Sequence, residues 1–269
     1  MINFRIKKKL GQHFLFDTSI LERIVKAASI CPEDAVVEIG AGHGRLTGYL
    51  ADSAKRVVAI EIDRQFHENL KKLTLEKPNI EIVQADALKF RYDTIGRAFK
   101  VVGNIPYYVT TPILFKLLDY RHLIESMTIM VQQEVAERIV ASPGNKDYGA
   151  LSIALQSQTI PSIAFKIPAG AFRPRPKVNS AVVVFQLPKV MPYSIEDYSF
   201  FMKTVKAAFQ QRRKTIQNSL KGFLNVKEAL RLANIEPTIR PERLGIEDFI
   251  ALVNQLKIQE NETASATAF

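Results

Sequence analysis

The sequence predicts an α/β chain: a mostly parallel sheet covered by helices, joined to a smaller all-helical unit. Two observations carry that prediction. Short β-branched runs alternate with amphipathic stretches through the first two-thirds of the chain, and near Pro188–Pro192 the composition shifts to patterns of helical period. The predicted strands are Ala35–Ile39, Arg56–Ile62, Ile80–Gln84, Lys100–Gly103 and Met127–Val131. Between them, Arg45–Ser53 and Arg64–Leu75 read as amphipathic helices. A helix is expected at Gln133–Ala141, a turn at Ser142-Pro143-Gly144 and another helix at Leu151–Ser157. Ser162–Ile167 and Ala181–Leu187 lack a helical pattern between them and read as an antiparallel pair of strands. The segment that joins them, Phe172–Lys177, is too rich in proline for regular structure and is expected as an ordered loop. The expected main domain therefore spans 1–190, with a basic N-terminal arm. A helical domain follows over 191–260, broken at Pro237 and Pro241, and 261–269 is small, polar and expected to fray.

At 269 residues the chain is long enough for one large domain and one small one. A formal net charge of +10 points to a polyanionic partner, nucleic acid or an anionic surface. No apolar run is long enough to cross a bilayer, and the basic stretch Met1–Leu10 leads into no signal-peptide hydrophobic region. The lone cysteine, Cys31, excludes an internal disulfide framework and fits a reducing compartment. The histidines His13, His43, His67 and His122 show no metal-ligand spacing. A monomeric cytoplasmic protein without metal or membrane attachment is expected.

The first strand runs into Glu38-Ile39-Gly40-Ala41-Gly42-His43-Gly44, at the start of a helix. Glycines there let the backbone turn sharply and approach a ligand closely. The spacing is G-x-G-x-G, one residue short of the dinucleotide fingerprint, which argues against a pyrophosphate ligand. It suits S-adenosyl-L-methionine (SAM), which needs close backbone contact and no phosphate pocket. The second strand ends in Ile60-Glu61-Ile62-Asp63, where a carboxylate can accept bonds from ribose hydroxyls. The third ends in Gln84-Ala85-Asp86-Ala87, where Asp86 can take an adenine amine. Open α/β sheets bind ligands at this C-terminal edge.

The fourth strand ends in Asn104-Ile105-Pro106-Tyr107. The Asn104 carboxamide oxygen can accept one hydrogen bond from an exocyclic N–H, and the Pro106 carbonyl a second. Two such acceptors draw the amine out of conjugation with its ring and aim its lone pair at an electrophile. Tyr107 can stack on the base.

With these residues in place the chain resembles the ribosomal RNA adenine dimethyltransferase family. The likeness runs from Lys7 to about Leu220. It rests on Lys9-Leu10-Gly11-Gln12-His13-Phe14-Leu15, the glycine loop, Asn104–Tyr107, Phe172-Arg173-Pro174-Arg175-Pro176-Lys177-Val178-Asn179-Ser180-Ala181 and Gln211-Arg212-Arg213-Lys214-Thr215. The resemblance implies a class I, Rossmann-like SAM-dependent methyltransferase sheet with an antiparallel last strand. It implies cofactor contacts from His13, Leu15, Gly40, Glu61, Asp86 and Asn104, with Gln12, Gly42, Ile62 and Ala87 beside them. His13 departs from the asparagine common in the family. Phe172 is implied opposite Tyr107, as the second half of a base clamp. Within the family, the Phe172–Ala181 and Gln211–Thr215 stretches resemble the KsgA-type small-subunit branch. Its implied product is N6,N6-dimethyladenosine at two adjacent adenosines in a hairpin loop near the 3′ end of that RNA, made in an immature ribosomal subunit. Asn179 stands where aspartate is more usual, a position expected to support the loop.

Charge clusters fit an RNA partner. Tyr198–Lys227 contains no Asp or Glu, while Lys203, Lys206, Arg212, Arg213, Lys214, Lys221 and Lys227 fall within it. Lys7, Lys8 and Lys9 with Arg5 form a second group, and Arg173, Arg175 and Lys177 a third. All three read as a phosphate track. The rival readings are a large-subunit rRNA methyltransferase of the antibiotic-resistance branch, and a ribosome-assembly or transcription factor that acts mainly by binding.

Overall fold

The structure, a computed structural model, describes residues 12–96, 98–211 and 213–266. Lys7, Lys8, Lys9 and Arg212 lie outside the described residues. The chain divides into two compact units, Met1–Ala136 with Ile160–Lys189, and Glu137–Thr159 with Val190–Phe269. The second unit takes up the chain again from Val190. The excursion of Glu137–Thr159 into the second unit does not follow from composition.

The first unit begins with a short strand β1 (Phe14–Leu15) and helix α1 (Thr18–Ala27), capped by the Asp17 side chain, which accepts the Ser19 N–H. Then come β2 (Ala35–Ile39), α2 (Arg45–Ser53), β3 (Arg56–Ile60), α3 (His67–Glu76), β4 (Ile80–Val83), β5 (Phe99–Asn104), α4 (Thr110–Asp119), β6 (Ile124–Gln132) and α5 (Gln133–Ile139), whose last residues from Glu137 belong to the second unit. After helix α6 (Ala150–Gln156) in the second unit, the chain returns with β7 (Ile160–Ile167), β8 (Phe172–Arg173) and β9 (Ser180–Gln186). The seven-stranded sheet has the order β4-β3-β2-β5-β6-β9-β7. Strands β2 to β6 pair in parallel, and β9 runs antiparallel between β6 and β7.

Central strands such as β2, AVVEI, and β3, RVVAI, are covered on both faces. They therefore read as continuous apolar runs rather than alternating ones. The helices bury one stripe each: Leu46, Leu50 and Ala51 on α2, and Ile113, Leu114, Leu117 and Leu118 on α4. Strand order reverses at β2, since the chain proceeds outward through β3 and β4 and then re-enters on the other side as β5. That topological switch point opens a crevice at the C-terminal edge.

Register then decides which residues meet. Ile39 pairs with both Ile60 and Gly103, so Gly40, Glu61 and Asn104 emerge at one level. Because β9 is antiparallel, its first residue, Ser180, opposite Gln132, lies at this same edge. The preceding loop is delivered there as well. Its Phe172–Arg173 part was expected to be irregular and instead forms β8, which pairs with β1 through Phe14↔Arg173 and Leu15↔Phe172. Only the prolines from Pro174 onward interrupt the pairing. Other boundaries move by a few residues: β3 ends at Ile60, α5 at Ile139, and Arg64–Phe66 forms a 3-10 turn ahead of α3.

The second unit is helical: α6, α7 (Tyr198–Phe209), α8 (Ile216–Ser219), α9 (Val226–Leu232) and α10 (Ile246–Ala266). Asp197 caps α7 by accepting the Phe200 N–H, so the helix starts after Ile195. Helix α10 continues to Ala266, past the point where the composition predicts fraying.

Phe185 in β9 is fully buried, whereas Val190 just beyond is 84% exposed. Phe185→Ala is expected to lower the unfolding free energy by about 3–5 kcal/mol in chemical denaturation. Val190→Ala is expected to stay within about 0.5 kcal/mol of the parent.

Candidate active site

A single cavity at the C-terminal edge of the sheet gathers the ends of β2 to β5 together with Gln12–Leu15. Its floor is the glycine loop. Gly40 donates its N–H to Ile60 at 2.9 Å and has φ of +79°. A Cβ there would lie 3.1 Å from the Asn104 main-chain oxygen, a group unable to swing aside. A Cβ at Gly42, where φ is +52°, would lie 3.1 Å from the Phe14 ring, and the Gly42 N–H donates to Glu61 Oε2 at 2.8 Å.

Glu61 is 6% exposed. Burial pushes its carboxyl pKa upward, while the N–H groups of Asp63, at 2.7 Å, and Gly42 favour the charged form. Each oxygen holds one backbone donor and keeps a further lone pair for a ligand hydroxyl. Asp86 accepts the Leu88 N–H at 3.0 Å through Oδ1, and with Ala87 it lines the cavity. Ile62 is 54% exposed at the wall, an aliphatic surface suited to a flat ring. Gln12 lines the cavity and donates to Asp63 Oδ2 at 3.1 Å; Leu15 is buried beside it.

One residue at the site was not singled out in the sequence. Glu38 is 1% exposed, lines the cavity and has no partner for Oε2 among the described residues. Burial pushes its pKa up to about 7. The Thr47 hydroxyl is near enough to soften the rise, though not in hydrogen-bonding geometry, and the Glu61 charge adds to it. The available signal was an acidic residue within the otherwise apolar run of β2. His43 lines the glycine loop, with its ring edge-on to Phe14 at 4.5 Å and to Phe66 at 4.8 Å. Burial first, and then the Arg45 charge, lowers its pKa.

The opposite wall carries Asn104–Tyr107. Asn104 Nδ2 donates to the His13 carbonyl at 3.1 Å, which commits the amide nitrogen and leaves Oδ1 as the carboxamide's acceptor. Tyr107 is held through its hydroxyl to Ser180 Oγ at 2.7 Å. Burial raises its pKa, against the opposing effect of the Ser180 bond, so the phenol stays neutral. The His13 ring stacks on Tyr107 at 5.6 Å and donates from Nδ1 to the Pro174 carbonyl at 2.7 Å. His13 thus does reach the cavity, but its side chain braces the loop and Tyr107.

Two expectations change. The Pro106 carbonyl already receives the Val109 N–H at 3.0 Å and the Thr110 hydroxyl at 3.4 Å, because the chain turns there into a 3-10 segment. Phe172, expected across from Tyr107, is 2% exposed, belongs to the apolar core around Leu15 and is not among the cavity-lining residues. Pairing of β8 with β1 turns its ring inward and makes it an anchor for the loop. Asn179 does support that loop, since its Oδ1 accepts the Ala169 N–H at 3.0 Å.

Arg173, Arg175 and Lys177 are exposed on the same loop. Arg213 and Lys214 are exposed in the second unit, after α7, whose Lys203 and Lys206 also face solvent. Among the described residues no helix is long and apolar enough to cross a membrane.

Glu38 generates a pH prediction. Its folded pKa lies above the unfolded value, so its favourable contribution is complete below about pH 4.5 and is lost as pH rises toward 7. The shift corresponds to something on the order of 3 kcal/mol. Glu38→Gln is expected to flatten the fall in melting temperature between pH 5 and 8, measured calorimetrically on ligand-free protein.

Comparison with known proteins agrees with this geometry. The family profile "Ribosomal RNA adenine dimethylase" matches residues 3–257. "Ribosomal RNA small subunit methyltransferase A" of Moorella thermoacetica is 44% identical over 266 residues, covering 93% of this chain and 92% of the relative. A dimethyladenosine transferase from Plasmodium falciparum superposes with a TM-score of 0.77 at 27% identity, over 92% of this chain and 98% of that one. The 23S rRNA methyltransferase ErmE gives 0.72 at 28% identity, over 91% and 99%. The glycine cradle, the strand-end carboxylates and the braced Asn104 thus sit within a likeness that spans nearly the whole chain, which belongs to the ribosomal RNA adenine dimethylase family.

Proposed function

We propose that this protein dimethylates the N6 amines of two adjacent adenosines in the 3′-terminal hairpin loop of small-subunit rRNA, within an immature ribosomal subunit, using SAM. The observation that carries the reading is the Asn104 carboxamide, fixed by its bond to His13 across from the glycine cradle.

The residues present fit the cofactor. Gly40 and Gly42 leave no room for a side chain where a ligand needs close backbone approach. Glu61 retains lone pairs for ribose hydroxyls, Asp86 suits an adenine amine, and Ile62 covers a ring face. The unpartnered Glu38 oxygen and the neighbouring carboxylates favour a cationic ligand. When bound, SAM supplies a methyl group already activated by its sulfonium.

The protein's task is then alignment. Asn104 Oδ1 accepts one N–H of the target amine. The second acceptor is a main-chain carbonyl of the same turn. Asn104's own oxygen faces Gly40 and that of Pro106 closes the 3-10 turn, so we give the role to Ile105, which lines the cavity between them. Tyr107, held by Ser180, provides the flat surface for the base. Held by these acceptors, the amine nitrogen would become cationic and acidic on taking the methyl group that bound SAM would supply with cleavage of its S–C bond. Its proton passes to water, so no charged general base is required. A loop adenosine is extruded at lower cost than a paired one.

The likeness to ErmE favours one rival, methylation of the large-subunit RNA. Labelled SAM offered separately to immature small and large subunits, with the labelled nucleotides mapped, distinguishes the two. Label on large-subunit RNA alone would reject the small-subunit assignment. Asn104→Ala is expected to lower methyl transfer by at least about a hundredfold while RNA affinity changes less than about threefold. Normal turnover by that variant would remove the orienting role.

A further inference from the structure

The two tyrosines of the catalytic turn are treated differently by the fold. Tyr107 is half-buried, bonded to Ser180 and stacked by His13. Tyr108 also lines the cavity, yet it is 60% exposed. Among the described residues it has no hydrogen bond and no ring contact. Residues Tyr107–Val109 form a 3-10 turn. Successive side chains there diverge by about 120°, so the second ring points away from the first and stands at the cavity rim. Phe16, an exposed aromatic on the glycine-loop side, differs: the Arg45 guanidinium lies 5.3 Å from its ring centre and donates to its carbonyl.

We propose that the Tyr108 ring is a stacking platform for the nucleobase adjacent to the one being methylated. The inference rests on the reading that an extruded adenosine enters the Asn104 pocket. Taking one base out of a loop deprives its neighbour of a stacking face, and an unpartnered aromatic ring at the rim replaces that face. Base–aromatic stacking is tolerant of sequence but strongest for purines, which suits a neighbour that is itself an adenosine. In a site that modifies adjacent adenosines in turn, the same ring would hold whichever one is outside the pocket.

The test is steady-state kinetics on immature small subunits with Tyr108→Ala, Tyr108→Phe and Tyr108→Trp. The alanine variant is expected to raise KM for RNA about tenfold, with kcat changed much less and SAM affinity unchanged. Phenylalanine and tryptophan are expected to restore KM, because the ring rather than the hydroxyl is required. Replacing the neighbouring adenosine by uridine should weaken wild type and leave Tyr108→Ala nearly unaffected, the non-additivity of a direct contact. An unchanged KM in Tyr108→Ala, a failure of phenylalanine to restore it, or strictly additive effects of the two changes would each overturn the platform. Absence of wild-type transfer to small subunits is a different result. It would reject the target assigned under Proposed function, and the Tyr108 comparison would then be read on whichever RNA is methylated.

Discussion

The site depends on one constraint, the parallel register of β2 between β3 and β5. With Ile39 level with both Ile60 and Gly103, the next residue of each strand arrives at a common edge, and these are Gly40, Glu61 and Asn104. A slip by one residue would reverse every side chain and bring Ile60 rather than Glu61 to this point. The register is secured by burial. Val36, Val37, Val57, Val58, Val101 and Val102 are at most 1% exposed, so a slipped pairing would disrupt packing on both faces of the sheet at once.

From that edge the second set of contacts follows. The short β1–β8 pair brings His13 alongside the sheet, and its carbonyl takes the Asn104 amide nitrogen while its ring supports Tyr107. A carboxamide free to rotate would present N–H or oxygen with similar ease. Tying down its nitrogen makes it an acceptor on the side where an amine must dock. The antiparallel β9 contributes in the same way, by placing the Ser180 hydroxyl against the Tyr107 phenol.

Charge is divided between the interior and the outside. The chain as a whole carries +10, and its exposed Arg173, Arg175 and Lys177 extend from the loop that adjoins the cavity wall. The cavity itself collects Glu38, Glu61 and Asp86. The field of the first set would attract phosphates at long range, and the second set would favour a cationic ligand at short range. The buried carboxyls are held at a cost in stability, visible in the upward displacement of Glu38, which a bound cation would offset.

Local patterns were enough to locate most strands and the glycine loop, because β-branched runs and G-x-G-x-G are set by neighbouring residues alone. They were also enough to place Glu61, Asp86 and Asn104 at strand ends, and hence at the ligand edge of an α/β sheet. The motif Asn104–Tyr107 identified the chemistry for the same reason, since the acceptor, the rigid turn and the ring are consecutive. What tertiary structure alone decided was everything that depends on distant pairing. The β1–β8 strap turned Phe172 inward and redirected His13, although residues 14–15 and 172–173 lie far apart in sequence. The 3-10 turn occupied the Pro106 carbonyl. The depth of the crevice converted Glu38 from an acidic residue in an apolar run into a buried carboxyl without a partner for Oε2. Short-range spacing encodes which groups exist and where a segment ends. Orientation and solvation of those groups arise only when remote segments pack, because both are properties of the assembled surroundings.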